Sequence, residues 1–163
     1  MISKEMAQAL NDQINEEMFS FYLYLSMSAW FETQQLPGMA GWMRKQAEEE
    51  MSHAMKFFKF LSERGGAVTL QAIAKPKASW KSAAAAFGEA FNHERHITGC
   101  INALADKAIA AKDHATLEFL QWFIKEQVEE EATVEPIVYK LKATEGHMGT
   151  LFHLDHQLGK RAG

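Results

Sequence analysis

The chain has 163 residues, enough for one domain with a sizeable buried core, and its single cysteine, Cys100, excludes an intrachain disulfide. The formal net charge of -4 comes without a basic tail or stripe, so neither nucleic acid nor an acidic membrane surface is an expected partner. No signal-peptide core and no run of about 18 apolar residues is present, so we expect a cytoplasmic protein with one domain over residues 1–163.

The first third of the chain predicts two long helices. Only three prolines occur, and the stretches between them are rich in Ala, Glu, Lys, Met and Leu, which indicates an all-α protein. The first helix is predicted over about 3–33, and a turn at 36–38 begins a second helix that ends near Arg64, before the glycines at 65–66. Because the connection is so short, we expect the two helices to be antiparallel neighbours.

The middle of the chain predicts a crossover and a third helix. The segment 67–81 is too irregular for a helix, and we interpret it as a connection that runs the length of the bundle. The third helix is predicted over about 82–111. The expected architecture is therefore an antiparallel four-helix bundle with a long crossover between helices 2 and 3.

The last part of the chain predicts a fourth helix and a short fifth one. Asp113 is a predicted N-cap for a helix to about Thr144, which Gly146 and Gly149 close. The segment 150–158 predicts a short C-terminal helix that is too apolar for a free tail. We therefore expect this fifth helix to dock, either on this subunit or on another.

Polar residues interrupt the apolar stripe of each long helix close to its middle. The interrupting residues are Glu17, Glu50 with His53, Glu94, and Gln127 with Glu130. In a bundle the helix midpoints coincide, so these side chains should meet at one level. An unpaired buried carboxylate costs several kcal/mol, which a divalent metal can offset. The oxygen-rich set suits iron, manganese or zinc, and the number of carboxylates suits two ions better than one.

Two aromatic residues are expected beside this polar level. Tyr24 lies one heptad after Glu17 on the same face, and Trp122 flanks the polar residues of the fourth helix. Ordinary core packing is the alternative interpretation of each ring. If iron and oxygen react here, either ring could donate an electron. Unchanged oxidation kinetics and an unchanged radical signal in Tyr24→Phe would exclude Tyr24.

Five sequence motifs carry a resemblance to a known family. They are Glu17 with Tyr24 one heptad later, Glu-Glu-Glu-Met-Ser-His at 48–53, Glu94 after Asn92-His93, Leu-Gln-Trp-Phe at 120–123, and Glu-Gln-Val-Glu-Glu-Glu at 126–131. With these motifs the chain resembles bacterial non-haem ferritins over essentially its whole length. The second helix has Glu50-x-x-His53, whereas the fourth has Gln127-x-x-Glu130, an asymmetric pair similar to ferritins and unlike the symmetric bacterioferritin site.

The resemblance implies a set of iron ligands. One iron would be held by Glu17, Glu50 and His53, with Glu50 bridging, and the second by Glu94 and Glu130. Gln127 would lie close by and, with Tyr24, would assist catalysis. A third iron position, frequent in bacterial ferritins, would use Glu49, Glu126, Glu129 and Glu130.

The resemblance also implies an activity and an assembly. The chain would be a ferroxidase that oxidises Fe(II) with O2 or hydrogen peroxide. It would store the ferric mineral inside a homo-oligomeric shell of 24 copies. The short fifth helix is consistent with this, since in the family that element lines pores at four-fold axes. The reductase that releases the iron is not specified by the sequence.

Four alternatives remain open at this point. A di-iron peroxidase or oxygenase of the same bundle class would detoxify peroxide without storing metal. A bacterioferritin-like store would bind haem through Met51, but a surface or interface methionine is favoured, so haem is not expected. A DNA-protecting mini-ferritin is disfavoured, because its metal ligands come from two subunits. A purely structural bundle gives no reason to bury four acids.

Overall fold

The computed structural model describes residues 1–161, and within that range the chain forms five α-helices and no strand. The helices are α1 (Lys4–Thr33), α2 (Pro37–Glu63), α3 (Ala83–Ala110), α4 (His114–Ala143) and α5 (Met148–Leu158). The predicted all-α class, with four long helices, a long crossover and a short fifth helix, is confirmed. The last two residues of the predicted 1–163 domain lie outside the described residues. Among those described, no helix has both the length and the apolar character that crossing a membrane requires.

Polar residues at the helix ends explain where the long helices begin. The side chains of Ser3, Ser82 and Asp113 each accept the backbone N–H three residues further along. Such caps satisfy N–H groups that have no partner inside the helix. At the end of α2, Gly65 has φ +76°, a conformation that glycine adopts without strain, so the chain turns there.

The crossover of residues 64–82 lies along α1. Asn11 donates to the carbonyl of Ala67, at 2.9 Å, and Ser26 donates to the carbonyl of Lys77, at 2.6 Å. The connection therefore runs in the same direction as α1 and delivers α3 antiparallel to it. This geometry places Lys107, near the end of α3, within 3.2 Å of Glu5 in the first turn of α1.

The fifth helix begins earlier than predicted and docks on its own subunit. It starts at Met148, so Gly149 lies inside α5 and does not close α4 as predicted; the turn is made at Gly146, which has φ +86°. Asp155 is buried and accepts the N–H groups of Gly38, at 3.2 Å, and Met39, at 2.7 Å. These bonds cap α2, whose preceding residue supplies no side-chain cap.

The core consists of two apolar clusters at opposite ends of the bundle. One contains Met27, Phe31, Met39, Met43, Phe87, Val134 and Leu141, among others. The other contains Leu10, Ile14, Phe57, Leu61, Ile101, Leu120 and Phe123, among others. Between them, along all four long helices, lie the polar residues that interrupt the apolar stripes. The two clusters hold the helices together above and below these polar residues. Close packing on both sides therefore fixes the positions of the polar side chains.

Candidate metal centre

The polar side chains that were predicted to meet at one level of the bundle do so, and this polar level is buried. Its side chains come from all four long helices and are between 0% and 5% exposed: Glu17, Glu50, His53, Glu94, Gln127 and Glu130. Each sits on the core face of its helix because the helical repeat puts it in line with the apolar residues above and below. Four carboxyl groups thus lie inside one core, where burial without a compensating charge is costly.

The first group of converging ligand atoms belongs to Glu17, Glu50 and His53, and these atoms lie within 4.8 Å of one another. The Nδ1 atom of His53 is 3.3 Å from Oε2 of Glu50 and 3.9 Å from Oε2 of Glu17. Neither His53 Nδ1 nor Glu17 Oε2 has a hydrogen-bond partner. Buried polar atoms without partners are rare and each costs about 1–3 kcal/mol, so their convergence indicates a site for a ligand.

A second group shares one residue with the first. Ligand atoms of Glu50, Glu94 and Glu130 also lie within 4.8 Å of one another. Glu50 therefore stands between two sets of donors, one containing an imidazole and one made of carboxylates only. A carboxylate has two oxygens and can contact two ions at once. The geometry can hold a pair of neighbouring metal ions with Glu50 between them.

A third group lies at the edge of the buried level and contains His53, Glu126 and Glu130. The Nε2 atom of His53 is 4.0 Å from Oε1 of the half-buried Glu126. Of the four residues predicted for a third iron, the structure brings Glu126 and Glu130 together. The other two are outside this group: Glu49 pairs with Arg161 at 2.9 Å, although its charge also helps to raise the pKa of Glu130, and Glu129 is exposed on α4.

Two buried glutamines, which the sequence interpretation missed, hold the acids in place. Gln13 donates to Oε1 of Glu17 at 3.0 Å. Gln46 donates to Oε1 of Glu50 at 3.2 Å and to Oε2 of Glu130 at 2.7 Å. Each glutamine stands four residues before an acid of the level and therefore shares its helix face. That spacing is the signal in the sequence that could have revealed them.

On the other side of the level, Gln127 acts as a donor to Glu94. Its Nε2 atom donates to Oε2 of Glu94 at 3.1 Å and to the Glu94 carbonyl at 3.2 Å. Thr98, also missed from the sequence, accepts from Gln127 at 3.3 Å and donates to Glu131 at 2.6 Å. Gln127 therefore orients Glu94 and leaves the remaining carboxyl oxygen to other partners.

The two aromatic residues have different surroundings. Tyr24 is buried, and its hydroxyl donates a hydrogen bond to Oε1 of Glu94. Trp122 is 40% exposed, its ring lies edge-on to His53, and the Lys56 ammonium sits 3.6 Å from the ring centroid. A cation over an indole ring disfavours removal of an electron from it. Tyr24 is thus the better placed of the two for electron transfer, since its proton can pass to Glu94.

Electrostatics at this level favour cations. Burial is the largest cause that raises the pKa of Glu17, Glu50, Glu94 and Glu130, and repulsion between the carboxylates adds to it for Glu17, Glu50 and Glu130. The pKa of Glu130 rises to about 8. Within residues 1–161, His53 is the basic side chain that faces Glu17 and Glu50, and Glu94 and Glu130 form no ion pair. A bound divalent cation would supply the missing positive charge and return the acids to their ionised form.

Known proteins resemble this chain over nearly its full length. The Ferritin family model, described as a ferritin-like domain, matches residues 7–144. The chain is 45% identical over 161 residues to a bacterial non-heme ferritin of Bacteroides fragilis (strain 638R), covering 99% of this chain and 100% of that relative. A bacterial non-heme ferritin of Campylobacter jejuni is 39% identical over 158 residues, covering 97% and 95% of the two chains. The crystal structure of an open pore ferritin from the hyperthermophilic archaeon Archaeoglobus fulgidus superposes with a TM-score of 0.98 at 47% identity, covering 99% and 100%.

Proposed function

The chain belongs to the ferritin family, and from that membership we propose that it stores iron and oxidises Fe(II) at a buried di-iron centre. The position of Glu50 carries this proposal. Its carboxylate belongs to two groups of ligand atoms, one with Glu17 and His53 and one with Glu94 and Glu130. A pair of sites that shares a carboxylate is suited to two metal ions that react together.

Fe(II) is the substrate of this centre, and the side chains have separate parts in binding it. Glu17, Glu50 and His53 bind one Fe(II), and Glu94 and Glu130 bind the other, with Glu50 in contact with both. Carboxylates are hard ligands and stabilise Fe(III) more than Fe(II), which lowers the reduction potential of the bound ions. Oxidation therefore becomes favourable once both ions are bound.

The reaction needs two electrons, and two Fe(II) ions supply them together. Dioxygen takes up two electrons and two protons to give hydrogen peroxide; hydrogen peroxide takes up the same number to give two water molecules. Both irons become Fe(III). Where only one Fe(II) is bound, Tyr24 can supply the second electron and become a tyrosyl radical, because its hydroxyl proton can move to Glu94 within their existing hydrogen bond.

Oxidised iron must then leave the buried level. We place the exit beside Glu126, which is half-buried and faces both His53 and Glu130. A third iron position would include Glu126 and Glu130. Glu49 and Glu129 would join it by changing rotamer, and Glu49 would first have to leave its ion pair with Arg161.

Storage requires a cavity, and we propose that 24 copies form a shell around it in the cytoplasm. Large apolar side chains on the surface of the subunit support assembly: Tyr22, Leu25, Leu70, Ile73, Ile109, Tyr139, Met148 and Phe152 are among those exposed. Contiguous patches of such side chains are typical of surfaces that other subunits cover. The ferritin relatives described above support the same assembly.

Aerobic loading with Fe(II) tests the proposal. The wild-type chain should oxidise about two Fe(II) per subunit rapidly. It should then elute from a sizing column as a shell-sized particle that carries hundreds of irons, on the order of what a closed assembly can enclose. Glu50→Gln keeps the size of the side chain but removes the shared charge, so rapid oxidation should fall at least about tenfold. Glu48→Gln is the matched control, because Glu48 is two residues away and exposed.

Three results would contradict the proposal. Equal oxidation rates in the Glu50→Gln and Glu48→Gln variants would mean that the buried level is not the oxidation site. A monomer or dimer that oxidises Fe(II) without retaining iron would exclude storage and would favour a di-iron peroxidase. A Soret band after expression with haem supplied would instead indicate a haem-binding store.

A further inference from the structure

A group of potential metal ligands lies outside the buried level, on the side of the bundle where α1 and α3 meet. It consists of Glu16, His96 and Cys100, and their ligand atoms lie within 4.8 Å of one another. The Nε2 atom of His96 is 2.9 Å from Oε2 of Glu16 and 3.6 Å from Sγ of Cys100. His96 and Cys100 are one helical turn apart on α3, and Glu16 faces them from α1.

The contacts within this group can be described for two protonation states of His96. If Nε2 of His96 carries a proton, it donates to the carboxylate of Glu16, and the thiol of Cys100 then has no acceptor there. If Nε2 is unprotonated, it can accept from the thiol, but it then faces the Glu16 carboxylate as a second acceptor. A bound cation gives a third arrangement, in which all three converging atoms act as ligands.

The donor set indicates which ion fits. A thiolate, an imidazole and a carboxylate together form a mixed, partly soft set that suits zinc, whereas the buried level has carboxylates and one imidazole. Three protein ligands leave a fourth position open. Glu16 and Cys100 line a surface groove of about 220 Å³, and His96 is exposed, so solvent reaches the site.

We propose that Glu16, His96 and Cys100 bind one Zn(II) ion per subunit, with solvent as the fourth ligand. The ion would cross-link α1 to α3 independently of iron. Binding would also convert the thiol of Cys100 to a thiolate, and burial together with the charge of Glu16 raises the pKa of that thiol to about 11. Zinc must displace this proton, so the affinity should rise with pH.

Cobalt is the probe for the test, because Co(II) occupies zinc sites and absorbs strongly when a thiolate binds it. Oxygen-free, reduced wild-type protein titrated with Co(II) should develop a thiolate-to-cobalt charge-transfer band. Because Cys100 is the only cysteine of the chain, this band reports the proposed site and not the buried level. Zn(II) in excess of the ions that the buried level can hold should abolish the band and protect Cys100 from a thiol-modifying reagent.

Matched variants distinguish a metal site formed by three side chains from metal binding by the Cys100 thiol alone. Cys100→Ser should abolish the band, and His96→Ala should weaken binding at least about tenfold, as expected for the loss of a direct ligand. His114→Ala is the control, because His114 is exposed on a different helix and should leave the titration unchanged.

Absence of the band in the wild-type protein would overturn the zinc site, and so would an unchanged band in His96→Ala. Neither result involves Fe(II) oxidation. The zinc proposal and the proposed di-iron centre can therefore fail independently. The Glu50→Gln variant tests the di-iron centre, and the cobalt titration tests the zinc site.

Discussion

Gln46 of α2 donates a hydrogen bond of 2.7 Å to Glu130 of α4, and the same amide nitrogen donates to Glu50 of its own helix at 3.2 Å. One side chain therefore orients two acids that belong to different helices. Both acids are members of the group that would bind the second iron. Gln46 is a positioning residue for the centre, although it contributes no carboxylate.

Gln46→Leu should impair the centre without changing the fold. The substitution removes the donor to both acids but keeps most of the volume. We expect the rate of Fe(II) oxidation to fall about tenfold and the free energy of unfolding of the metal-free protein to fall by about 1–3 kcal/mol. Stopped-flow oxidation and chemical denaturation measure the two effects. Gln8→Leu is the control, because Gln8 is exposed, and an equal effect of both substitutions would contradict the positioning role.

Tyr24→Phe should slow the reaction selectively. The phenyl ring preserves the packing but cannot donate to Glu94 or lose a proton. We expect oxidation to slow by roughly a factor of ten, and any tyrosyl radical signal that follows rapid mixing to disappear. Tyr22→Phe is the control, since Tyr22 lies on the surface two residues away. A radical that persists in Tyr24→Phe would point to Trp122 instead.

The metal-free protein should lose stability as the pH rises from about 6.5 to about 8. The pKa of Glu130 rises from 4.5 to about 8 on folding, so the folded state holds more protons than the unfolded state in this window. The free energy of unfolding therefore falls as pH increases. Burial lowers the pKa of His93 from 6.5 to about 4, which has the opposite effect, mainly below the window and fading as the pH rises above 6.5.

Calorimetry of the metal-free protein at several pH values measures this slope. Glu130→Gln should make the slope shallower, since Glu17, Glu50 and Glu94 still contribute to it, whereas Glu129→Gln, which alters an exposed neighbour, should leave it unchanged. With a saturating divalent metal, the free energy of unfolding should instead rise with pH, because metal and protons compete for the same oxygens. A stability that does not vary with pH in this window would show that the carboxyl groups are not buried together as described.

Asp155→Ala should release α5 from the subunit. The carboxylate accepts two backbone N–H groups at the start of α2, and each bond to a charged acceptor contributes about 1.5–3 kcal/mol. We expect a lower melting temperature and faster hydrogen exchange in residues 148–158. Asp106→Ala removes an exposed acid from α3 and serves as the control. Slow exchange in α5 of the Asp155→Ala variant would mean that apolar packing alone holds the helix.

Local rules were sufficient to predict the helices of this protein. The N-caps at Ser3, Ser82 and Asp113 and the glycine turn at 65–66 act within four residues of chain, so the sequence contains all the information they need. The polar level was predictable for a related reason. A polar residue on an apolar stripe is recognisable from periodicity, and helices of similar length bring these residues to one level of the bundle.

Other features depended on how the helices pack. Periodicity marks the face of α2 on which Gln46 lies, but it does not say that this amide reaches Glu130 on α4. The resemblance assigns Glu49 and Glu129 to a third iron position, and each lies one residue, about 100° around its helix, from an acid of the buried level, so its side chain is nearer the surface. Composition and spacing determined which side chains are buried at one level, whereas the distances between helices, set by packing of the two apolar clusters, decided which atoms meet there.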